Sequence, residues 1–255
     1  MPDTGQPLRH VEHVMGTVFS FDIRDRPTGA IRSALGEAVR HLHHVDAVFS
    51  TYRPDSHISR LDRGEIRLGE CPAEVHEVLS LCARAAHRSE GWFSPFPTGA
   101  LDPSGLVKGW ATEAASRILL EAGARNTCVN GGGDIQLRGR PADGAPWRVG
   151  VAHPLRPGAL ATVVTSSHEL AIATPGTAER GHHIVDPHSG RPVTAFASLT
   201  VIGQRLTEAD TCATAAFARG DGAREWLESL DGYEALAVLP EGQEWRTSGF
   251  DRYGR

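Results

Sequence analysis

Thr127-Cys-Val-Asn-Gly-Gly-Gly-Asp-Ile-Gln-Leu-Arg138 is the stretch whose reading decides the fold. Its ends, Thr127–Asn130 and Ile135–Arg138, read as short strands. The three glycines between them are costly in chain entropy. They imply either a turn that needs positive φ or a wall against which a flat ligand lies. No helix opens after them, so the run is not a GxGxxG dinucleotide fingerprint, and without a following GK[ST] it is not a phosphate-binding P-loop.

Outward from this pair the pattern continues in both directions. Downstream, strands are expected at Trp147–Val151, Ala161–Ser166, Leu170–Thr174, Ser198–Ile202 and Glu234–Leu239, with helices at Glu208–Ala218 and Ala223–Leu230. Upstream, apolar residues at Ile31, Leu35, Ala38, Leu42, Val45 and Phe49 recur at three- and four-residue steps, so Ala30–Phe49 reads as an amphipathic helix. Ala73–His87 and Leu106–Ala122 read the same way, the latter stopped by Gly123. Glu12–Arg24 is expected to be one strand. Residues 91–105, rich in Gly, Pro and Ser, form a packed or ligand-lining loop. Helices and strands interleave irregularly with several hairpin-like pairs, which favours α+β over a doubly wound parallel sheet.

The composition narrows the function classes. The chain has 255 residues, 40% of them hydrophobic, with a net charge of −5, so a basic footprint for nucleic acid is missing. No long apolar run suggests a membrane span. The first twenty residues lack a signal-peptide core, which sets the expectation of a cytoplasmic protein. Cys71, Cys82, Cys128 and Cys212 form no CxxC pair and read as reduced thiols. His41, His43 and His44 read as the wet face of a helix.

Four segments carry groups suited to chemistry. In Asp102-Pro-Ser-Gly-Leu-Val-Lys-Gly-Trp110 a loop enters a helix whose first turn holds Lys108 and Gly109. Free N–H groups and a lysine there suit a phosphate; the alternative is that Asp102 or Ser104 only caps the helix. The Asn130–Asp134 glycines are the second segment. In Arg180–Pro192, His182 or His183 could act as a base near neutral pH, the alternative being a β-turn at Asp186–Gly190 with surface histidines. In Thr207–Thr214, Asp210 and Thr214 share a helix face. That pair is a hard-oxygen set that suits Mg²⁺; otherwise Asp210 is an ordinary acid in a helix capped by Thr207.

Taken in order, these segments resemble the ApbE flavin transferases from about residue 13 to residue 240. Met15-Gly16-Thr17 is similar to the family's MGT start, and Ser50–Ser59 to its S-x-Y-x-x-x-S-x-[IL]-S segment. Asp102–Trp110 resembles D-x-G-G-x-A-K-G-[YW], and Asn130–Ile135 resembles GGD[IL]. Ala173–Gly176 is similar to T-S-G, His183–Gly190 to H-I-[ILV]-D-P-x-T-G, and Asp210–Thr214 to D-A-x-x-T. Val107 stands where the family has Ala, Pro175 where it has Ser, and Ser189 where it has Thr.

The resemblance implies a single ApbE-like, T-fold-related α+β domain with mixed or antiparallel sheets and packed helices, spanning 13–240 between tails at 1–12 and 241–255. It implies Mg²⁺-dependent transfer of the FMN half of FAD to a Thr or Ser hydroxyl of an acceptor protein carrying an Asp-x-x-[Ser/Thr]-x-[Ser/Thr] motif. By the same carry-over, Met15, Tyr52, Asp102, Lys108, Gly132, Gly133 and Thr174 line the FAD site. Asp210, Thr214 and a main-chain carbonyl at Val107 hold Mg²⁺, and His183 is the catalytic histidine. A metal-dependent FAD pyrophosphatase and a non-catalytic FAD-binding protein remain the rival expectations.

Overall fold

Among the described residues eight strands form one sheet in the order β1-β2-β3-β4-β7-β8-β9-β10, every neighbouring pair antiparallel. They are β1 (Leu8–Val14), β2 (Thr17–Ile23), β3 (Thr127–Gly131), β4 (Asp134–Arg138), β7 (Leu170–Ala173), β8 (Ser198–Gly203), β9 (Glu234–Val238) and β10 (Glu244–Arg246). A separate ribbon pairs β5 (Trp147–Ala152) with β6 (Leu160–Ser166). The helices are α1 (Gly29–Phe49), α2 (His57–Asp62), α3 (Ala73–Arg88), α4 (Ser104–Glu121), α5 (Leu206–Arg219) and α6 (Ala223–Glu228). The computed structural model describes residues 6–141, 144–176 and 184–254.

The expected single strand at Glu12–Arg24 is instead the β1–β2 hairpin. Met15 (φ +55°) and Gly16 (φ +67°) both sit in the left-handed region, as a two-residue turn between right-twisted strands requires. Methionine is an unusual residue there, which is why the turn is not obvious from sequence. The β3–β4 hairpin closes in the same way through Gly132 (φ +60°) and Gly133 (φ +96°). Gly132 N donates to Val18 O, so the two hairpin turns stand side by side at one end of the sheet.

One half of the sheet is covered on one face, the other half on both. β2 buries Phe19, Phe21 and Ile23 beneath α1, whose stripe Ile31, Leu35, Ala38, Leu42, Val45 and Phe49 faces it. Each fully buried Phe contributes about 1.5–3 kcal/mol. By contrast β4, β7, β8 and β9 are buried along nearly their whole length. Ala171, Ala173, Leu199, Val201, Ala235 and Ala237 face the helices, while Ile135, Leu137, Ile172, Ile202 and Leu236 face the β5–β6 ribbon with Trp147, Val164 and Phe250. Residues 241–254, expected as a tail, add β10 to the sheet edge and place Phe250 wholly inside this second core.

Candidate active site

Helices α4 and α5 approach each other wherever α4 has glycine. A Cβ on Gly105 would lie 3.2 Å from Thr214 Cγ2, and one on Gly109 would lie 2.8 Å from Asp210 Cβ and 2.9 Å from Leu206 O. Gly109 N donates to Asp210 Oδ2 at 3.0 Å. The two helices therefore run antiparallel, with Asp210 and Thr214 held against the first two turns of α4. Asp210 is buried and Thr214 half-buried. Gly109 thus admits both the Asp210 side chain and the backbone carbonyl of Leu206.

Helix α4 starts at Ser104, two residues earlier than its periodicity suggests, so Lys108 stands in the second turn and not the first. Its ammonium lies 2.6 Å from Asp134 Oδ2, the residue after the triple glycine. Asp134 is almost fully buried, and its other oxygen accepts from Thr174 N at 3.1 Å. Thr174 Oγ1 is 3.0 Å from Thr200 Oγ1. Lys108, Asp134 and Thr174 thus form one connected group under the β3–β4 turn. Asp134 was not among the expected site residues. Its place next to the glycines was the available signal, since a partly buried ammonium gains from a carboxylate partner.

The Gly131–Gly133 run serves close packing as well as turning. A Cβ on Gly131 would meet Phe19 Cε1 and Thr112 Oγ1, both at 2.6 Å. Gly133 is exposed at the tip, and its N–H donates to Asn130 Oδ1 at 2.8 Å. Met15 packs partly against the core from the adjacent turn.

Other expected residues stand at the edge. Tyr52 is 97% exposed on the loop after α1. Asp102 Oδ1 accepts from Ser104 N at 2.9 Å, so the carboxylate finishes the loop before α4, whereas the Ser104 side chain does not cap. Val107 is buried in the main core. His182 and His183 lie outside the described residues. The turn after them is the expected one: Asp186 accepts from His188 N and Ser189 Oγ, and Gly190 has φ +68°. His188 packs edge-on against Trp92, tying this turn to the 91–103 loop.

Thr207 is not the N-cap of α5. The cap position is Arg205, which provides no side-chain acceptor. Of the three clustered histidines, His43 and His44 are exposed, while His41 is half-buried against Trp110 and burial pushes its pKa down. Among the described residues no group of three or more His, Cys, Asp or Glu side chains is arranged to hold a metal ion, and no helix is long and apolar enough to cross a membrane.

The ApbE family model matches residues 15–100 and 96–237. An FAD:protein FMN transferase from Vibrio cholerae is 32% identical over 130 residues, covering 48% of this chain and 39% of the relative. One from Rhodobacter capsulatus is 27% identical over 227 residues, covering 86% of this chain and 40% of the relative. The chain therefore matches about two fifths of these relatives' own length. In fold, the ApbE protein of Thermotoga maritima superposes with a TM-score of 0.87 at 21% identity, covering 98% of this chain and 100% of that one. The flavin transferase ApbE of Vibrio cholerae gives 0.81 at 23% identity, covering 97% and 99%. Both similarities bear out the α+β antiparallel architecture as a single domain.

Proposed function

Because this chain belongs to the ApbE family, we propose that it transfers the FMN half of FAD onto a Thr or Ser hydroxyl of an acceptor protein and releases AMP. Supporting this reading is the convergence of Lys108, Asp134, Thr174, Asp210 and Thr214, drawn from four separate elements, on the paired hairpin turns and the start of α4.

The donor set at α5 fits Mg²⁺ rather than a softer ion. It offers a carboxylate and a hydroxyl one turn apart, uncovered by any side chain at Gly105 and Gly109. Among the described residues no group of three or more acidic, imidazole or thiol side chains gathers there; Asp210, Thr214 and the Val107 carbonyl would hold the ion, with water and substrate phosphates as its remaining ligands, a hard-oxygen set of the kind Mg²⁺ takes. Bound in that place, Mg²⁺ supplies Lewis-acid neutralisation of the negative charge on the pyrophosphate oxygens.

The chain's own residues do the rest. Lys108, steered by Asp134, adds a fixed positive charge at the nucleotide. Gly132 packs against Thr17, whereas the Gly133 tip is open and, with Met15, leaves room for the flavin side, which the exposed Tyr52 would cover. His183 accepts the proton of the acceptor hydroxyl. That oxygen bonds to the phosphorus on the riboflavin side, the P–O bond to the AMP phosphate breaks, and AMP leaves in line. The acceptor is a protein segment of the Asp-x-x-[Ser/Thr]-x-[Ser/Thr] type.

The test is an incubation with FAD, Mg²⁺ and a small protein bearing an Asp-x-x-Thr-x-Thr tag, read by intact mass and AMP release. One FMN gained on the tag, and lost with EDTA, is the expected result. AMP without labelling would replace the reading by FAD hydrolysis, and FAD bound unchanged would replace it by storage.

A further inference from the structure

We propose that Glu113 and Gln136 are positioning residues for Asp210: they fix the first turn of α5, and thereby the carboxylate that the Mg²⁺ reading above depends on. The first N–H groups of a helix have no partner within it, and Arg205 supplies none. Two other elements do. Leu206 N donates to Gln136 Oε1 at 3.0 Å, from β4. Thr207 N and Thr207 Oγ1 both donate to Glu113 Oε2, at 2.9 and 2.7 Å, from α4. Arg205 Nε closes on Glu113 Oε1 at 3.0 Å.

Each acceptor is itself fixed. The Gln136 amide reaches Leu170 O and Gln204 O at 3.4 and 3.3 Å, so it is tied to β7 and to the loop that enters α5. Glu113 lies one turn beyond Gly109, whose N–H holds Asp210. The α4–α5 contacts therefore repeat turn by turn: Gly105 with Thr214, Gly109 with Asp210, Glu113 with Thr207. Asp210 is three residues past Thr207 on the same rigid helix. Leu206 and Thr207 are buried behind this clamp, so its removal leaves their donors without the acceptors that fix the turn. The turn is then less tightly fixed, and Asp210, one turn on, with it. Neither Glu113 nor Gln136 is placed to touch FAD; both act through α5.

The experiment titrates Mg²⁺ into the FAD-loaded protein. It reads the Mg²⁺ concentration for half-maximal AMP release with acceptor, and that for half of the Mg²⁺-induced rise in melting temperature. Glu113→Ala is expected to raise both midpoints about tenfold, as loss of a group that orients a metal ligand does. Its kcat at saturating Mg²⁺ and its FAD affinity without Mg²⁺ stay close to wild type. Glu113→Gln, which keeps an acceptor oxygen, recovers most of the loss, and Thr207→Val loses about threefold.

Wild-type midpoints in Glu113→Ala, or a fall in kcat with unmoved midpoints, would overturn the proposal. Should Glu113→Ala fail to fold, an unmoved midpoint in Thr207→Val overturns it equally. The underlying reading fails differently: wild-type protein indifferent to Mg²⁺, or Asp210→Ala with a wild-type midpoint, removes the metal assignment itself and this proposal with it.

Discussion

The candidate site has a floor and a rim built on opposite principles. On the floor, Lys108 meets Asp134, Asp134 meets Thr174, and Gly109 meets Asp210, all at 2.6 to 3.1 Å and all between residues far apart in sequence. On the rim, Tyr52 is 97% exposed, Phe96 is 53% exposed, and Gly133 stands at a turn tip. The floor's polar groups are ordered by folding itself, because a buried charge without a partner is costly. The Tyr52 and Phe96 side chains at the rim face solvent instead. A floor substitution should therefore disturb stability or chemistry, whereas a rim substitution should disturb ligand affinity alone.

The largest expected effect is that of Asp210→Ala. Transfer should fall by about a hundredfold or more, with the fold left intact. Transfer at the wild-type rate in Mg²⁺ would separate the floor from the chemistry. Asp134→Asn comes next, since it leaves the Lys108 ammonium facing a neutral group. With Lys108 about a quarter exposed, the loss in urea unfolding should be about 1–2 kcal/mol, less than for a fully buried pair, and transfer should fall with it. Unchanged stability would show that the pair forms only weakly.

Gly109→Ala probes the close helix approach. Its methyl would sit 2.8 Å from Asp210 Cβ and 2.9 Å from the Leu206 carbonyl, an overpacking cost of about 1–3 kcal/mol. Tolerance without loss would mean that α4 and α5 slide easily. Tyr52→Ala tests the rim: the KM for FAD should rise severalfold while stability moves by about 0.5 kcal/mol or less. A large drop in melting temperature there would erase the distinction between rim and floor.

The smallest effect is one of pH. Burial pushes the Glu113 carboxyl up, but the Thr207 N–H and hydroxyl and the Arg205 guanidinium pull it further down, leaving it below the ordinary range. A carboxylate lowered by folding stabilises fully above its unfolded pKa, about 4.3, and loses that contribution as the pH falls through the folded value. The stability gap between wild type and Glu113→Gln, read from urea midpoints, should therefore narrow on acidification. A gap that is constant through the acid range would mean that the charge is not what holds α5.

Much of the fold was open to reading along the chain. The long helices followed from apolar periodicity, and the β3–β4 hairpin from its glycines. The β1–β2 hairpin was missed because Met15 occupies a left-handed position that usually goes to Gly or Asn. β10 was missed because three residues carry no periodicity to detect. Within the site, Asp210 and Thr214 were readable as a pair because helical spacing alone puts them on one face. The alternative, Thr207 as a cap, fails because a carboxylate from α4 already serves that turn, which local preference cannot reveal.

Strand β4 marks where sequence stops and tertiary structure begins. Asp134, Ile135, Gln136 and Leu137 alternate polar and apolar, a pattern that by itself reads as a strand with one wet face. The alternation fixed the strand and which side chains share a face, because successive residues must point to opposite sides of the pleat. It could not say that both faces are covered. Ile135 and Leu137 pack under the β5–β6 ribbon, while Asp134 holds Lys108 and Gln136 holds the start of α5. A polar residue facing water and one keyed to a helix follow the same local pattern, and only the packing of α4 and α5 over the sheet distinguishes them.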